Sequence, residues 1–464
     1  MTVRADEASG SSMARKLARA ALAVDPGCFD ADVVAKAKIC LLDFLSCAFE
    51  ARPHPWSRQA VAIARAVANG ATIVGSGTLA SPGDAAFANA VMGHGLVRED
   101  MHAASVCHHG VVIWPTLLAL SERTSLPGAR FLAAAIIGYE TGARIGRALM
   151  TSDLARLYRP TGLVAPLGAA LAGSYALGLT EAAATSAMAI AANTSSGLNE
   201  WPRAGGSEMY FHPGFAARNA IAAIELAEAG ALASETILEG EAGLFAAFRR
   251  QPAPAEIRLF ASEPELMAVY NKPAPACNFA QTAAQAALRA ARELGTADDI
   301  ATVSIRVPEA AARYPGCDSK GPFRNALQAK MSIPFSVAAV LARGALEEDN
   351  YADIDDRKIL RLVEHTDLQS ESGLTAAFPA KQGAEILVGL RNGTTLRHRL
   401  DNVIAATSDE IRIRFRSSAA EVIGERRARY LEELVDDCAT LPDASVIAAQ
   451  CRLEPVEQRL RPAS

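Results

Sequence analysis

The strongest constraint on the fold is a succession of alanine-rich apolar segments with helical spacing that occupies residues 1–269. In residues 30–51 the apolar side chains that fall on one helical face are Val34, Ala37, Leu41, Phe44, Leu45 and Ala48. Further helices are predicted at about residues 57–68, 84–97, 111–123, 129–149, 162–179, 181–193 and 215–228. No strand pattern separates them. Because alanine loses no side-chain entropy in a helix, this part of the chain predicts one all-helical domain.

The segment GLVAPLGAALAGSYALGL, residues 162–179, is uncharged and 18 residues long. That length lies at the lower limit for crossing a bilayer. Pro166 and four glycines interrupt it, and no comparable partner segment flanked by Lys or Arg accompanies it. We therefore expect a buried core helix and no membrane contact.

The sequence pattern changes near Tyr270, where a proline-rich loop, NKPAPACNF, precedes an amphipathic helix at residues 281–293. The alternation in residues 300–308 predicts a strand, and Asn392-Gly393 predicts a hairpin turn between residues 384–390 and 394–400. Helical spacing resumes after residue 407. The predicted fold is mainly α, with an all-helical domain (residues 1–269 and 404–464) and a smaller α+β domain (residues 270–403).

Charge and cysteine usage exclude several classes of protein. Lys and Arg number 46 against 51 Asp and Glu, a net charge of −5, and no basic stripe suited to nucleic acid is present. The charged fraction of 21% is too low for a disordered chain. The eight cysteines form no CxxC pair, and the N-terminus lacks the apolar core of a signal peptide. We expect a reduced, cytoplasmic protein.

The densest group of reactive side chains is HGLVREDMHAASVCHHG, residues 94–110, which contains four of the eight histidines with Glu99 and Asp100. It lies between two apolar helices, where a rigid scaffold presents a loop. Imidazole and carboxylate groups supply general acids and bases near neutral pH. Two alternatives are a zinc site built from His102, His108, His109 and Glu99, and a polar surface loop.

Three further positions are candidates for binding an anion. Arg159, beside the possible helix cap Thr161, can clamp a carboxylate bidentately. His212 precedes a helix whose N-terminal amides suit an anion. Lys272 lies in the proline-stiffened loop at the predicted domain boundary, a position that suits a cleft. The alternatives are an ordinary loop arginine and a solvated lysine.

Together these motifs resemble the MmgE/PrpD family, which includes 2-methylcitrate dehydratase, cis-aconitate decarboxylase and iminodisuccinate epimerase. The matching segments are AAFANAVMGHGLVRED, CHHGVVIWPTLLALSE, Gly138-Tyr139-Glu140 with Arg144, Arg159-Pro160-Thr161-Gly162, LGLTEAAATSAMAIAANTSSGL, HPGFAARNAIAAIELAEAGA, LEGEAGLFAAF, the Lys272–Cys277 loop and AKMSIPFSVA. The resemblance implies a large helical domain with a smaller α+β lid, a homodimer and no organic cofactor.

The resemblance also implies roles for individual residues. His108 stands at the family's histidine and Lys272 at its boundary lysine. The family's first acidic residue falls near Val97, so that Glu99 or Asp100 takes its place. The other departures from the family pattern are Arg159 at a histidine, Met209 at a lysine, Phe335 at a lid tyrosine, and Cys277 and Gln281 at histidines.

The resulting hypothesis is a cofactor-independent, dehydratase-type lyase that removes a proton next to a carboxylate of a small di- or tricarboxylate. The catalytic candidates are His108, Asp100, Glu99 and Lys272. The candidates for substrate binding are Arg159, His102, Thr161, His212 and Cys277. No metal is expected. The alternatives are an epimerase or isomerase, a decarboxylase, and a non-catalytic relative that binds a metabolite.

Overall fold

The structure is a computed structural model that describes residues 11–453. Its helices are α1 (Met13–Leu22), α2 (Ala31–Glu50), α3 (Pro55–Ala62), α4 (Pro82–His94), α5 (Gly110–Ser121), α6 (Gly128–Leu149), α7 (Ser152–Leu157), α8 (Pro160–Leu177), α9 (Glu181–Ala192), α10 (Trp201–Ala204), α11 (His212–Glu228), α12 (Gln281–Ala291), α13 (Glu309–Ala312), α14 (Ala326–Met331), α15 (Ile333–Arg343), α16 (Arg357–Glu364), α17 (Ser372–Ala377), α18 (Ser408–Ile423), α19 (Glu425–Asp436) and α20 (Ser445–Gln450). Its strands are β1 (Ala66–Thr72), β2 (Leu79–Ala80), β3 (Met101–His102), β4 (Val269–Tyr270), β5 (Ile300–Val307), β6 (Thr366–Ser370), β7 (Ala384–Leu390) and β8 (Thr395–Leu400). The chain is therefore mainly α, as predicted.

Helix α8 lies at the centre of the larger hydrophobic core, and its residues are buried from Pro160 to Ala176. It packs against α5, α6, α9 and α11. A Cβ atom at Gly168 would lie 2.4 Å from the carbonyl oxygen of Gly138 in α6, so the two helices approach closely because both positions are glycine. The prediction of a buried core helix in this segment is confirmed.

Across residues 11–453, none of the helices has the length and apolar character needed to span a bilayer.

Strands do occur in the part of the chain that was predicted to be purely helical, and that prediction is wrong in this detail. The helix expected to reach residue 68 ends at Ala62, and β1 then pairs antiparallel with β2. The strand is irregular at Gly70, where a Cβ atom would lie 2.2 Å from the carbonyl oxygen of Ala80. A short glycine-containing strand with an exposed first half has too little apolar alternation to be visible in the sequence.

The smaller core is built on a four-stranded sheet in the order β6-β5-β7-β8. Strand β5 pairs parallel with β6 and antiparallel with β7, while β7 and β8 form the predicted hairpin. Its turn contains Gly393 at φ +86°, a conformation that favours glycine. Helices α12, α15 and α16 pack against the sheet. Strand β6, half exposed and rich in polar residues, was not predicted.

The two cores are composed largely of different parts of the chain. The larger one contains residues of α1–α9 and α11 together with α18–α20. The smaller one contains residues between Ala276 and Leu400 together with Val97, Ala155, Trp201, Met209 and Tyr210. The two crossings between them run side by side, because Ala406 N donates to the carbonyl oxygen of Asn271 at 2.9 Å. The domain boundaries near residues 270 and 403 stay a prediction, because the smaller core also includes buried residues that precede residue 270.

Candidate active site

The loop that joins α4 to α5 carries the histidine cluster and lies between the two cores. Two of its residues, Val97 (φ +58°) and Val106 (φ +51°), adopt the left-handed backbone conformation. This conformation is unfavourable for a β-branched residue and is concentrated at functional sites. Both valines line one small cavity, together with His108. The strained backbone therefore lies at the same cavity as His108, a side chain that can act as an acid or a base.

Glu99 connects two histidines inside this loop. Its Oε1 lies 2.5 Å from His94 Nδ1 and 2.9 Å from His108 Nδ1, and all three side chains are buried. Burial by itself would raise the pKa of Glu99, but the two imidazoles hold the pKa well below its usual range. Glu99 is thus a buried carboxylate that orients both rings.

His108 is fixed at three points. Its backbone N donates to Thr161 Oγ1 at 3.1 Å, and its Nδ1 lies 2.9 Å from the carbonyl oxygen of Asp100 as well as from Glu99. Burial lowers the pKa of His108 to about 3, although Glu99 opposes the shift. The ring is therefore neutral at physiological pH with its proton on Nδ1, and Nε2 is the nitrogen that can accept another proton.

Arg159 immediately precedes α8 and contacts one histidine of the pair. Its guanidinium lies 3.1 Å from His94 Nε2 and 3.4 Å from the hydroxyl of Tyr314. Since Arg159 can only donate, His94 accepts through Nε2 and carries its proton on the Nδ1 that faces Glu99. The Sδ of Met209 lies 3.1 Å from the same His94 nitrogen. Arg159 Nε is buried without a hydrogen-bond partner within residues 11–453.

Lys272 supplies a second buried cation. The exposed fraction of its side chain is zero, and its Nζ has no hydrogen-bond partner in the described part of the chain. Burial lowers its pKa, and the charge of Glu99 opposes that shift. An unpaired buried ammonium is costly, so its position suits an anion that arrives with the substrate.

The Lys272 loop is held from both cores. From α18, Arg414 donates to the carbonyl oxygens of Lys272 and Pro273 at 2.9 and 2.7 Å. From α12, Gln281 donates to the carbonyl oxygens of Ala274 and Ala276, both at 2.9 Å. The returning C-terminal helix therefore fixes the backbone that carries Lys272.

Cys277 lies at the end of this loop and lines the same cavity as His108 and Arg159. Its Sγ is 3.7 Å from Cys317 Sγ. Burial raises the pKa of the Cys277 thiol, but the Cys317 thiol, a backbone amide and Lys272 together bring it to about 7. Cys277 thus adds a readily ionised group to the wall of the cavity.

The cavity itself is narrow, with a free volume of about 10 Å³, which is room for about one water. Its remaining wall is formed by Met101, Asn278, Phe279, Tyr314 and Met331. Residues from positions 97–159 and residues from positions 277–331 therefore face each other across it.

Two of the predicted residues point elsewhere. The Asp100 carboxylate accepts a hydrogen bond from the hydroxyl of Tyr139 within the larger core, where burial raises its pKa to about 7. His102 is bonded through Nε2 to Glu265 at 2.9 Å and through Nδ1 to Ser105 at 2.7 Å. The structure does not bring either side chain to the cavity.

The remaining candidates lie beside the cavity. Thr161 Oγ1 accepts a hydrogen bond from the backbone N of His108 and so holds the loop in place. His212 lies next to Arg159: a Cβ atom at Gly197 would meet Arg159 Cβ at 3.1 Å and His212 Nδ1 at 3.2 Å. Burial, reinforced by Arg159, lowers the pKa of His212 to about 3.

The donors that could hold a metal are His94, Glu99 and His108, whose ligand atoms lie within 4.8 Å of one another. The four residues of the zinc site considered from the sequence do not come together. Among them, His109 contacts Ser105 and Cys107, away from Glu99. Arg159 bonds to His94, and the positive charge of Lys272 acts on both His94 and His108. Two cations at the donor set fit an anionic ligand better than a metal ion.

Sequence reasoning missed two residues of the site. His94 belonged to the histidine cluster but was not separated from it, and its signal was its position as the last residue of α4. Tyr314 lies outside every motif, yet its hydroxyl contacts Arg159 and its ring lines the cavity. Only the packing of the two cores brings it there.

Comparisons with known proteins agree with this architecture. Residues 15–256 match the family model of the MmgE/PrpD N-terminal domain, and residues 274–440 match that of the MmgE/PrpD C-terminal domain.

Three curated relatives illustrate the range of similarity. A cis-aconitate decarboxylase of Aspergillus terreus is 32% identical over 223 residues, which cover 46% of this chain and 45% of that enzyme. The cis-aconitate decarboxylase-like protein oryM of Aspergillus oryzae is 25% identical over 458 residues, or 91% of this chain and 94% of that protein. The mitochondrial 2-methylcitrate dehydratase of Yarrowia lipolytica is 31% identical over 34% of this chain and 31% of that enzyme.

Proposed function

The chain belongs to the MmgE/PrpD family, and on that premise we propose that it is a lyase acting on a small di- or tricarboxylate. The reaction begins with proton transfer at the carbon next to a carboxylate. The observation that carries this proposal is a neutral His108 backed by Glu99, on which the charge of the buried, unpaired Lys272 acts.

His108 is the general base in this mechanism. Nε2 takes the proton from the substrate carbon, while Nδ1–H keeps its bonds to Glu99 and to the Asp100 carbonyl. Glu99 stabilises the imidazolium that forms, as the carboxylate of a catalytic triad does. In the free protein burial keeps the pKa of His108 low, and the negative charge of a bound polycarboxylate raises it toward the working range.

Lys272 and Arg159 hold the substrate. Removal of a proton next to a carboxylate places negative charge on the carboxylate oxygens, and cations in a site without bulk water stabilise that charge strongly. Arg159 offers two nitrogens to one carboxylate, and Lys272 offers a point charge to another. Loss of hydroxide from the neighbouring carbon, with return of a proton to it as water, completes a dehydration. These residues supply a base and two cations, so we propose that no organic cofactor is required.

Decarboxylation is the second candidate, because two of the relatives described above carry that activity in their names. In that reaction the bond from carbon to the carboxylate breaks, CO₂ leaves, and the electron pair left on carbon takes a proton. Protonated His108 donates that proton, so the same residue serves in the reverse direction. The two reactions differ in product and in the protonation state of His108 at the start.

The test is incubation with a panel of di- and tricarboxylates in deuterated water. We expect deuterium at the carbon next to a carboxylate, together with either an unsaturated product or released CO₂, which separates dehydration from decarboxylation. Exchange without net product would indicate an epimerase or isomerase. Binding without any exchange across the panel would contradict the proposal and favour a non-catalytic relative.

The cavity volume of about 10 Å³ is too small for any such substrate. Binding therefore requires that the smaller core move away from the larger one, and we propose that it acts as a lid. The homodimer and the cytoplasmic location stay predictions.

A further inference from the structure

A second, larger cavity adjoins the candidate active site. Its volume is about 380 Å³, which lies within the range of small-molecule sites. Val106, Phe279 and Tyr314 line both cavities, so these three side chains form the partition between them. Val106 belongs to the histidine loop and packs against the smaller core, which contains the two aromatic residues. The partition is therefore a seam between the histidine loop and the smaller core.

The inner wall of this second cavity is apolar. Besides the partition it contains Met150, Ala155 and Phe378, and the ring centroids of Phe279 and Phe378 are 5.9 Å apart. Aromatic and aliphatic walls of this kind stabilise apolar groups that leave water.

The charged residues of the cavity are two of each sign. Arg156 and Asp153 lie on α7, while Arg313 pairs with Glu309 at 2.8 Å. The lining thus has no excess of positive charge, unlike the candidate active site with its unpaired Lys272 and Arg159 nitrogens. A passage that attracts a polyanion needs one dominant sign of charge, so the cavity is poorly suited to a further carboxylate.

We propose that the substrate is a polycarboxylate with an apolar substituent of several carbons, which occupies this second cavity. The inference rests on the proposed function for the position of the carboxylates. These are held by Lys272 and Arg159, and the substituent passes the seam at Val106 into the cavity walled by Phe279 and Phe378. The second cavity then selects the substrate by its substituent and does not contact the reacting atoms.

The test compares citrate with 2-alkylcitrates whose chains grow from one carbon to eight. Because each buried methylene contributes about 0.8 kcal/mol, kcat/KM is expected to rise about fourfold per carbon until the cavity is full. The dissociation constant of the same compounds for the His108→Ala variant, measured by calorimetry, should fall in parallel.

Ala155→Phe fills the cavity from α7, and Ala310→Phe fills it from α13 if the first variant fails to fold. Either should abolish the gain with chain length and leave kcat/KM for citrate within about twofold. Ala376→Phe is the matched control, since Ala376 is exposed and does not line the cavity. It should leave the gain intact.

The outcomes separate the two proposals. Turnover without any gain from the alkyl chain overturns the inference and leaves the proposed function standing. Affinity that grows with chain length in a protein that turns over none of the compounds supports the inference and contradicts the proposed function. A gain that survives in a folded filling variant overturns the inference, because the substituent must then lie elsewhere.

Discussion

Two buried glutamates, each bonded to a histidine of the same loop, occupy very different surroundings. Glu265 is bonded to His102 and is neutralised by Arg144 Nε at 3.2 Å and Arg147 Nε at 2.7 Å. Glu99 orients His94 and His108, but its Oε2 has no hydrogen-bond partner among residues 11–453. The charge of Glu265 is therefore balanced by two arginines, whereas one oxygen of Glu99 is left without a hydrogen bond.

This difference separates a structural cluster from a chemical one. The Glu265 group ties residues 260–265 to α6, since Glu140 also accepts from the backbone N atoms of Phe260 and Glu265 at 2.6 and 2.7 Å. The Glu99 group reaches a cavity through His108, and Arg159, whose Nε is unpaired, lines the same cavity. The charge of the unpaired Lys272 acts on both histidines. Buried polar groups without partners cost stability, and such costs are concentrated where a ligand completes the set.

The largest effect should come from replacing one histidine of each group. His108→Ala removes the base, so we expect kcat to fall about 10⁴-fold while the far-UV spectrum and melting temperature stay close to wild type. His102→Gln should leave kcat within about threefold and lower the melting temperature. Deuterium exchange and thermal unfolding measure both variants, and near-normal turnover by His108→Ala would remove the assignment of the base.

A smaller loss is expected from the glutamates. Glu99→Gln removes the charge that stabilises imidazolium, but the Asp100 carbonyl still orients His108 at 2.9 Å, so kcat should fall by about 10²–10³-fold. Glu265→Gln should leave kcat of the folded protein unchanged and lower the free energy of unfolding by about 1–3 kcal/mol. Steady-state kinetics and urea titration provide the comparison. Equal losses of kcat in the two variants would mean that the groups do not differ in function.

Asp100 allows a test by pH, because it lies beside Glu99 in the chain but faces the larger core. Its folded-state pKa of about 7 is above the usual value, so its protonated form stabilises the fold at low pH. That contribution is lost as the pH rises through about 7. In urea titrations, the free energy of unfolding of the wild type minus that of Asp100→Asn should therefore be larger at pH 5.5 than at pH 8. Parallel stability curves would place the titration elsewhere.

The smallest effect is expected at Tyr314, which contacts Arg159 at 3.4 Å. Tyr314→Phe removes one hydrogen bond to a substrate-binding residue, so KM should rise about threefold to tenfold with little change in kcat. Tyr351→Phe is the control, because the Tyr351 hydroxyl bonds to Ser336 at 3.0 Å within the smaller core. A change in kcat alone for Tyr314→Phe would indicate a role in proton transfer.

The sequence predicted much of the fold because helical periodicity is local. The apolar spacing of α2 and α8 and the Asn392-Gly393 turn each contain their own signal within a few residues. It failed at β1 and β6, which are largely exposed and lack apolar alternation. Strand β6 pairs with β5, which lies far earlier in the chain, and β1 pairs with β2 in a short bulged hairpin.

The candidate site was predictable only in part, for the same physical reason. Composition and motif resemblance identified the histidine loop, Arg159 and Lys272, since these are properties of chain segments. Which of the Glu99 and Asp100 side chains contacts His108 depends on the backbone of the irregular loop that carries them. The hydroxyl of Tyr139 captures one, and two imidazoles capture the other.

The sequence by itself determined a mainly helical chain with a smaller α+β part and a loop rich in acid–base groups. Tertiary structure decided which histidine is bonded to a glutamate that two arginines neutralise, and which histidine feels the charge of an unpaired lysine. The reason is that burial and charge pairing depend on residues distant in the chain, such as Glu265 for His102 and Lys272 for His108. Local sequence specifies a side chain's chemistry, but its neighbours set the protonation state and access on which function depends.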